Sequence, residues 1–154
     1  MEDKYYTPSL EEFYVGFECE RYWGFIDPNG AEHSTWEKCV VEPSLWSSNQ
    51  MWLLIKREDA KDFRVKYLDK EDIESLGFKT IIEGNRIIAN KSKLIGDLEV
   101  GQWVIKYDRD KYKIQIESIG VYNDTTYWLQ NITIKNKSEL IKLLKQLGID
   151  GSEV

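Results

Sequence analysis

The stretch Trp103-Val104-Ile105-Lys106-Tyr107-Asp108-Arg109-Asp110-Lys111-Tyr112-Lys113-Ile114-Gln115-Ile116-Glu117 carries two runs with a period of two. Trp103, Ile105, Tyr107, Tyr112, Ile114 and Ile116 point one way, while Lys106, Asp108, Lys111, Lys113, Gln115 and Glu117 point the other. That pattern predicts an antiparallel hairpin with one buried face. Closing it around Arg109-Asp110 pairs Tyr107 with Tyr112, Ile105 with Ile114 and Trp103 with Ile116. A slip of one residue would carry the whole apolar set into water, so the register is strongly constrained.

Downstream, Gly120 and the Asn123-Asp124 turn lead to Tyr127–Ile134, a third strand rich in aromatic and β-branched residues. A helix follows. Asn136 with Glu139 resembles a capping box, Ser138 offers a competing N-cap, and Leu140, Leu143, Leu144 and Leu147 make an apolar stripe that Gly148 ends.

Upstream, Phe78–Ile82 and Arg86–Ala89 predict a second hairpin about Gly84-Asn85, and 96–101 reads as a loop. Asp69, with Asp72 three residues on, caps a short helix over Lys70–Leu76, and Phe63, Val65 and Tyr67 alternate as a strand. Nearer the start, Thr7 and Pro8 open a short helix to Phe13. Tyr14–Ile26 is a long strand, with Val15, Phe17, Cys19, Trp23 and Phe25 on the face that Arg21 interrupts and Glu18, Glu20 and Tyr22 on the other. Asp27-Pro28-Asn29-Gly30 is a turn by its chemistry, and Trp36–Val41 returns as a strand. Pro43–Ala60 fits a helix over Met51–Ile55 or a buried strand equally well.

These elements predict an α+β fold. The expected architecture is a twisted antiparallel sheet of about six to eight strands, with the C-terminal amphipathic helix packed on one face and one or two short helices. With 154 residues, the chain is expected to form a single domain over 1–154, flexible at 1–6 and 150–154, that buries roughly 70% of its unfolded surface. Two cysteines, Cys19 and Cys39, are too few for a secreted disulfide framework and predict reduced thiols in a cytosol. If their strands pair across the Asp27–Gly30 turn, a two-residue loop leaves them one position out of register and a longer one brings them opposite. No basic and apolar leader is seen at the N-terminus and no apolar run is long enough for a bilayer, so a cytoplasmic location is expected. The net charge of −6 and pI near 5.0, with lysines scattered among acidic residues, exclude a basic footprint; duplex nucleic acid and anionic membrane are not expected partners.

The chemistry-bearing residues are sparse. His33 is the single histidine and is expected in a solvated loop, so no multi-histidine metal site can form. No glycine-rich phosphate loop or dinucleotide fingerprint is present. Asp69–Asp72 and Asp108–Lys111 lack the spacing of a calcium loop. Glu18 and Glu20 share a strand face about 7 Å apart and offer the one metal-dependent hydrolytic reading, with a solvated face as the plainer explanation. No catalytic residue, metal ligand set or cofactor is therefore predicted. Six tryptophans and nine tyrosines are the compositional exception, and Trp23, Trp36, Trp46 and Trp52 fall in the first third.

Tyr5-Tyr6-Thr7-Pro8 through Glu11-Glu12-Phe13-Tyr14-Val15-Gly16-Phe17-Glu18, Lys66–Phe78, and Ile134–Leu140 with Leu143–Ile149 together resemble small uncharacterised proteins carried by phages, prophages and mobile elements of gut bacteria. The resemblance implies an accessory gene product acting inside an infected bacterial cell or in the particle, and it brings no catalytic residues. With the aromatic cluster, it leads to the expectation of a non-catalytic protein that binds a small nucleotide-like ligand or a host protein, antagonising host defence. Trp23, Trp36 or Trp52 would stack a ring, and Arg21 or Arg57 would meet a phosphate. The rivals are a structural or adaptor protein that oligomerises through an aromatic interface, and the Glu18/Glu20 hydrolase.

Overall fold

The computed structural model describes residues 4–9, 12, 16–41 and 63–149. The chain is α+β and its strands are antiparallel, but they lie in two sheets rather than the one expected. The first contains β1 (Tyr5–Tyr6), β2 (Glu18–Ile26), β3 (Glu32–Val40) and β4 (Phe63–Lys66), in the order β1-β4-β2-β3. The second contains β5 (Lys79–Glu83), β6 (Arg86–Ile95), β7 (Leu98–Asp108), β8 (Lys113–Gly120) and β9 (Thr125–Thr133) in sequence order. The division has a local cause: β4 is flanked by β1 and β2, so neither of its sides can receive β5. The chain instead passes into α1 (Lys70–Glu74) and starts a new ladder. Two compact units result, residues 1–67 and 68–154. Tyr5–Tyr6, in the end segment read as flexible, is β1. The expected helix over Thr7–Phe13 falls partly, and Pro43–Ala60 wholly, outside the described residues.

In the second unit the five strands follow one another as a meander, and one face is closed by helices. Ile87, Ala89, Ile105, Tyr107, Ile114 and Ile116 are buried together with Ile73 of α1 and with Leu140 and Leu144 of α2 (Lys137–Gln146). Both helices start as the sequence indicates. Asp69 accepts from the Asp72 N–H at 3.0 Å while Asp72 accepts from the Asp69 N–H at 3.3 Å, a complete capping box. At α2, Asn136 accepts from the Glu139 N–H at 2.9 Å, but Glu139 reaches one residue further back, to the Lys135 N–H. Gly148, at φ +70°, turns the chain so that Ile149 N–H donates to the Leu144 carbonyl at 2.9 Å and Gly148 N–H to that of Lys145 at 3.1 Å. This pair of bonds satisfies carbonyls that the helix end would leave open and buries Ile149.

The hairpin of β7 and β8 forms, with its register displaced by two residues. Tyr107 pairs with Ile114, Ile105 with Ile116 and Trp103 with Ser118. Asp108 explains the shift, because its carboxylate accepts from the N–H groups of Asp110 and Lys111 at 3.0 and 3.1 Å and stabilises a longer turn. Tyr112, at φ +54°, leaves the ladder. A shift of two preserves the side-chain faces, so the buried set is nearly the one predicted. The region 96–101, expected as a loop, is mostly strand: β6 and β7 meet at Ile95 and Leu98 around a Gly96-Asp97 turn. Gly84-Asn85 does close a two-residue hairpin, with Glu83 opposite Arg86.

In the first unit, β2 and β3 pair in unbroken register from Glu18–Val40 to Ile26–Glu32. Phe17, Cys19, Val41, Phe63 and Val65 form its buried cluster, with Tyr6 and Cys39 packed against it.

Candidate binding surface on the first hairpin

Beyond that cluster, β2 and β3 continue as an arm with aromatic residues on both faces. Alternation decides which face each side chain takes. Arg21, Trp23 and Phe25 are odd-numbered residues of β2 and lie on the side of Cys19; Glu20 and Tyr22 are on the reverse, where Trp36 pairs with Tyr22 and Arg64 with Glu20.

On the first side the Arg21 guanidinium lies 4.0 Å from the Trp23 ring centre and 5.9 Å from that of Phe63. Trp23 stays 45% exposed, and Phe25 59%. Phe25 stacks on His33, its cross-strand partner, at 5.1 Å between ring centres. His33 is therefore a strand residue, not the loop residue expected, although it remains exposed. Its Nε2 lies 2.9 Å from Asp27 Oδ2. Asp27 also accepts from the N–H groups of Asn29 and Ala31 at 2.9 and 3.0 Å, closing the turn. These contacts, with His33 foremost, hold the Asp27 carboxyl below its ordinary value.

On the reverse side the Arg64 guanidinium is sandwiched, 3.9 Å from the Tyr5 ring centre and 4.2 Å from that of Trp36. Its Nε donates to Glu20 at 2.6 Å. Tyr22 extends the row at 5.3 Å from Trp36. A planar cation between two aromatic faces, pinned at its edge by a carboxylate, fixes four side chains from four strands.

The structure therefore brings Arg21 to Trp23 but puts Trp36 on the opposite face with Arg64, so Trp23 and Trp36 do not share one site. Trp52 and Arg57 lie outside the described residues. Sequence reasoning did not select Tyr5, Tyr22 and Arg64. The alternation of Phe63, Arg64 and Val65 places Arg64 on the polar side of its strand, yet its meeting with Glu20 depends on strands 44 residues apart, which no local signal reveals.

The hydrolytic reading is not supported by this geometry. Glu20 is held by Arg64, and no group of three or more His, Cys, Asp or Glu among the described residues is arranged to hold a metal ion. Nor is any helix among them long and apolar enough to cross a membrane.

A second aromatic pair lies in the other unit. Trp103 and Trp128 meet edge to face at 5.4 Å, Trp128 donates to Ser118 Oγ at 3.1 Å, and the Lys93 ammonium sits 4.8 Å from the Trp103 ring centre. Trp103 is opposite Ser118, which pairs with Thr126, so Trp128, two residues on, shares their face; the β8–β9 register shifts there between Ile116 and Glu117, with one extra residue in β9. No family model matches the chain, and neither the curated proteins nor the solved structures compared with it give a match.

Proposed function

We propose that the chain is a non-catalytic binding protein that engages a protein partner through the arm of β2 and β3. The observation carrying this reading is the exposure of Trp23 and Phe25 on one face, and of Tyr22 and Ile26 on the other, of one regular hairpin. Exposed apolar surface concentrated on one element marks an interaction site, and tryptophan and tyrosine are the residues that concentrate binding energy there. Residues 18–40 hold five carboxylates (Glu18, Glu20, Asp27, Glu32, Glu37) against Arg21 and Lys38. The complementary partner thus offers an apolar cleft with a basic rim.

A protein is favoured over a nucleotide-like ligand because Trp23 and Trp36 each already hold a guanidinium against the ring. A base would have to displace Arg21 or Arg64, and displacing Arg64 also breaks its bond to Glu20. The resemblance to phage and mobile-element proteins suggests the setting, a bacterial cell in which the partner is a host protein.

A photo-crosslinking amino acid at Phe25, in the full chain exposed to a bacterial lysate, is expected to give one discrete adduct that Trp23→Ala and Ile26→Ser variants lose. The same probe at Lys137 is expected to give none. Quenching of tryptophan fluorescence by micromolar nucleotides, or an adduct indifferent to both substitutions, would overturn the reading.

A further inference from the structure

Cys19 and Cys39 are direct partners in the β2–β3 ladder, and their Sγ atoms lie 2.9 Å apart as free thiols. The five residues from Asp27 to Ala31 connect the strands, and this longer loop is what sets the cysteines opposite each other. The ladder is bonded at both ends, Asp27 N–H to the Ala31 carbonyl at 2.9 Å and Val41 N–H to that of Phe17 at 2.9 Å. Counting in twos from either end makes Cys19 and Cys39 a hydrogen-bonded pair. Such pairs hold their Cα atoms about 5.5 Å apart, inside the span of about 4.4–6.8 Å that disulfides occupy.

The two thiols are not equivalent. Cys19 is buried among the residues of the first cluster, whereas Cys39 is half-buried and reachable from solvent. A hydrogen bond between them favours one thiolate held by one thiol. That bond and burial push the Cys19 thiol up, while the same bond and the nearby Arg21 bring Cys39 down.

We infer that this pair is a reversible oxidation site, a cross-strand dithiol that exchanges with low-molecular-weight disulfides of the glutathione class. The Cys39 thiolate attacks one sulfur of the oxidised disulfide, forming a mixed disulfide and expelling one small thiolate. Cys19 then loses its proton and attacks Cys39 Sγ, expelling the second small thiolate and closing the Cys19–Cys39 bond. Two protein thiols are oxidised, one external disulfide is reduced to two thiols, and two protons accompany them. The bond ties the arm at its base and leaves Trp23, Phe25 and Ile26 beyond it.

The test is intact-mass measurement, under non-reducing conditions, of the full chain equilibrated with graded ratios of oxidised to reduced glutathione. The monomer is expected to lose two hydrogens as the ratio rises and to regain them with dithiothreitol. Cys19→Ser is expected to accumulate a mixed disulfide at Cys39, while in Cys39→Ser the remaining thiol reacts about tenfold more slowly or worse. A wild-type monomer that keeps both hydrogens at every ratio would overturn the inference, as would oxidation only into linked dimers or equal reactivity of the two variants. The wild-type titration stands by itself should either variant fold poorly.

Discussion

At the scale of single residues, Asp27 shows how a turn inherits a pH dependence. Its folded carboxyl titrates below the ordinary 3.8, because His33 first and then the Ala31 and Asn29 N–H groups prefer the ionised form. A depressed folded value means that the contact stabilises the arm above the unfolded value and is lost as pH falls through the lowered one. The His33 and Ala31 resonances are therefore expected to move together in one step below pH 3.8, and to lose that step in Asp27→Asn. A step at neutral pH only, or none, would contradict the assignment. Much at this scale was legible. The alternation that puts Arg21 and Trp23 on one face of β2 is printed in the sequence, but the separation of Trp36 from them follows from the β2–β3 register, which pairs Trp36 with Tyr22 and which the turn length left open. What was not legible is which cation each ring meets, since Arg64 reaches Trp36 through β4, and His33 joins its strand only because β3 begins four residues before Trp36.

Among the elements, α2 was the most readable because its signals are local: a cap, a stripe of leucines and a terminating glycine. Asn136→Ala is expected to cost about 1 kcal/mol through the lost bond to the Glu139 N–H. Gly148→Ala is expected to cost about 1 kcal/mol, because its φ of +70° is strained for a residue with a Cβ even where the space around it is open. Urea melts of the two variants check both figures, and a Gly148→Ala protein as stable as the parent would refute the terminating role. Strand registers were less readable. The β7–β8 pairing depends on whether Asp108 or Arg109-Asp110 makes the turn, and both choices keep the same apolar face. Periodicity fixes a face, but the turn chemistry fixes the register.

For the whole molecule, the number of sheets was beyond local reading, because it follows from β4 having neighbours on both sides and not from any strand signal. Each unit has its own buried cluster, and residues 68–154 contain the larger one together with α1 and α2. A fragment of residues 68–154 is accordingly expected to fold alone, giving a dispersed amide spectrum and a cooperative melt. A collapsed spectrum would restore the single folding unit that the length suggests.

The irregularity of β9 has a consequence for crowding. In its pairing with β8 the register breaks twice, and Asn131 adopts a left-handed backbone at φ +58°. As the last strand of its sheet, β9 would otherwise offer a straight row of amides to any neighbouring copy, while β5 at the opposite border is only five residues long and bears Lys79 and Glu83 at its tips. Kinks on one margin and a short, charge-ended ribbon on the other make this sheet a poor seed for fibrils, although Ile81, Ile82, Ile95 and Ile132 face water.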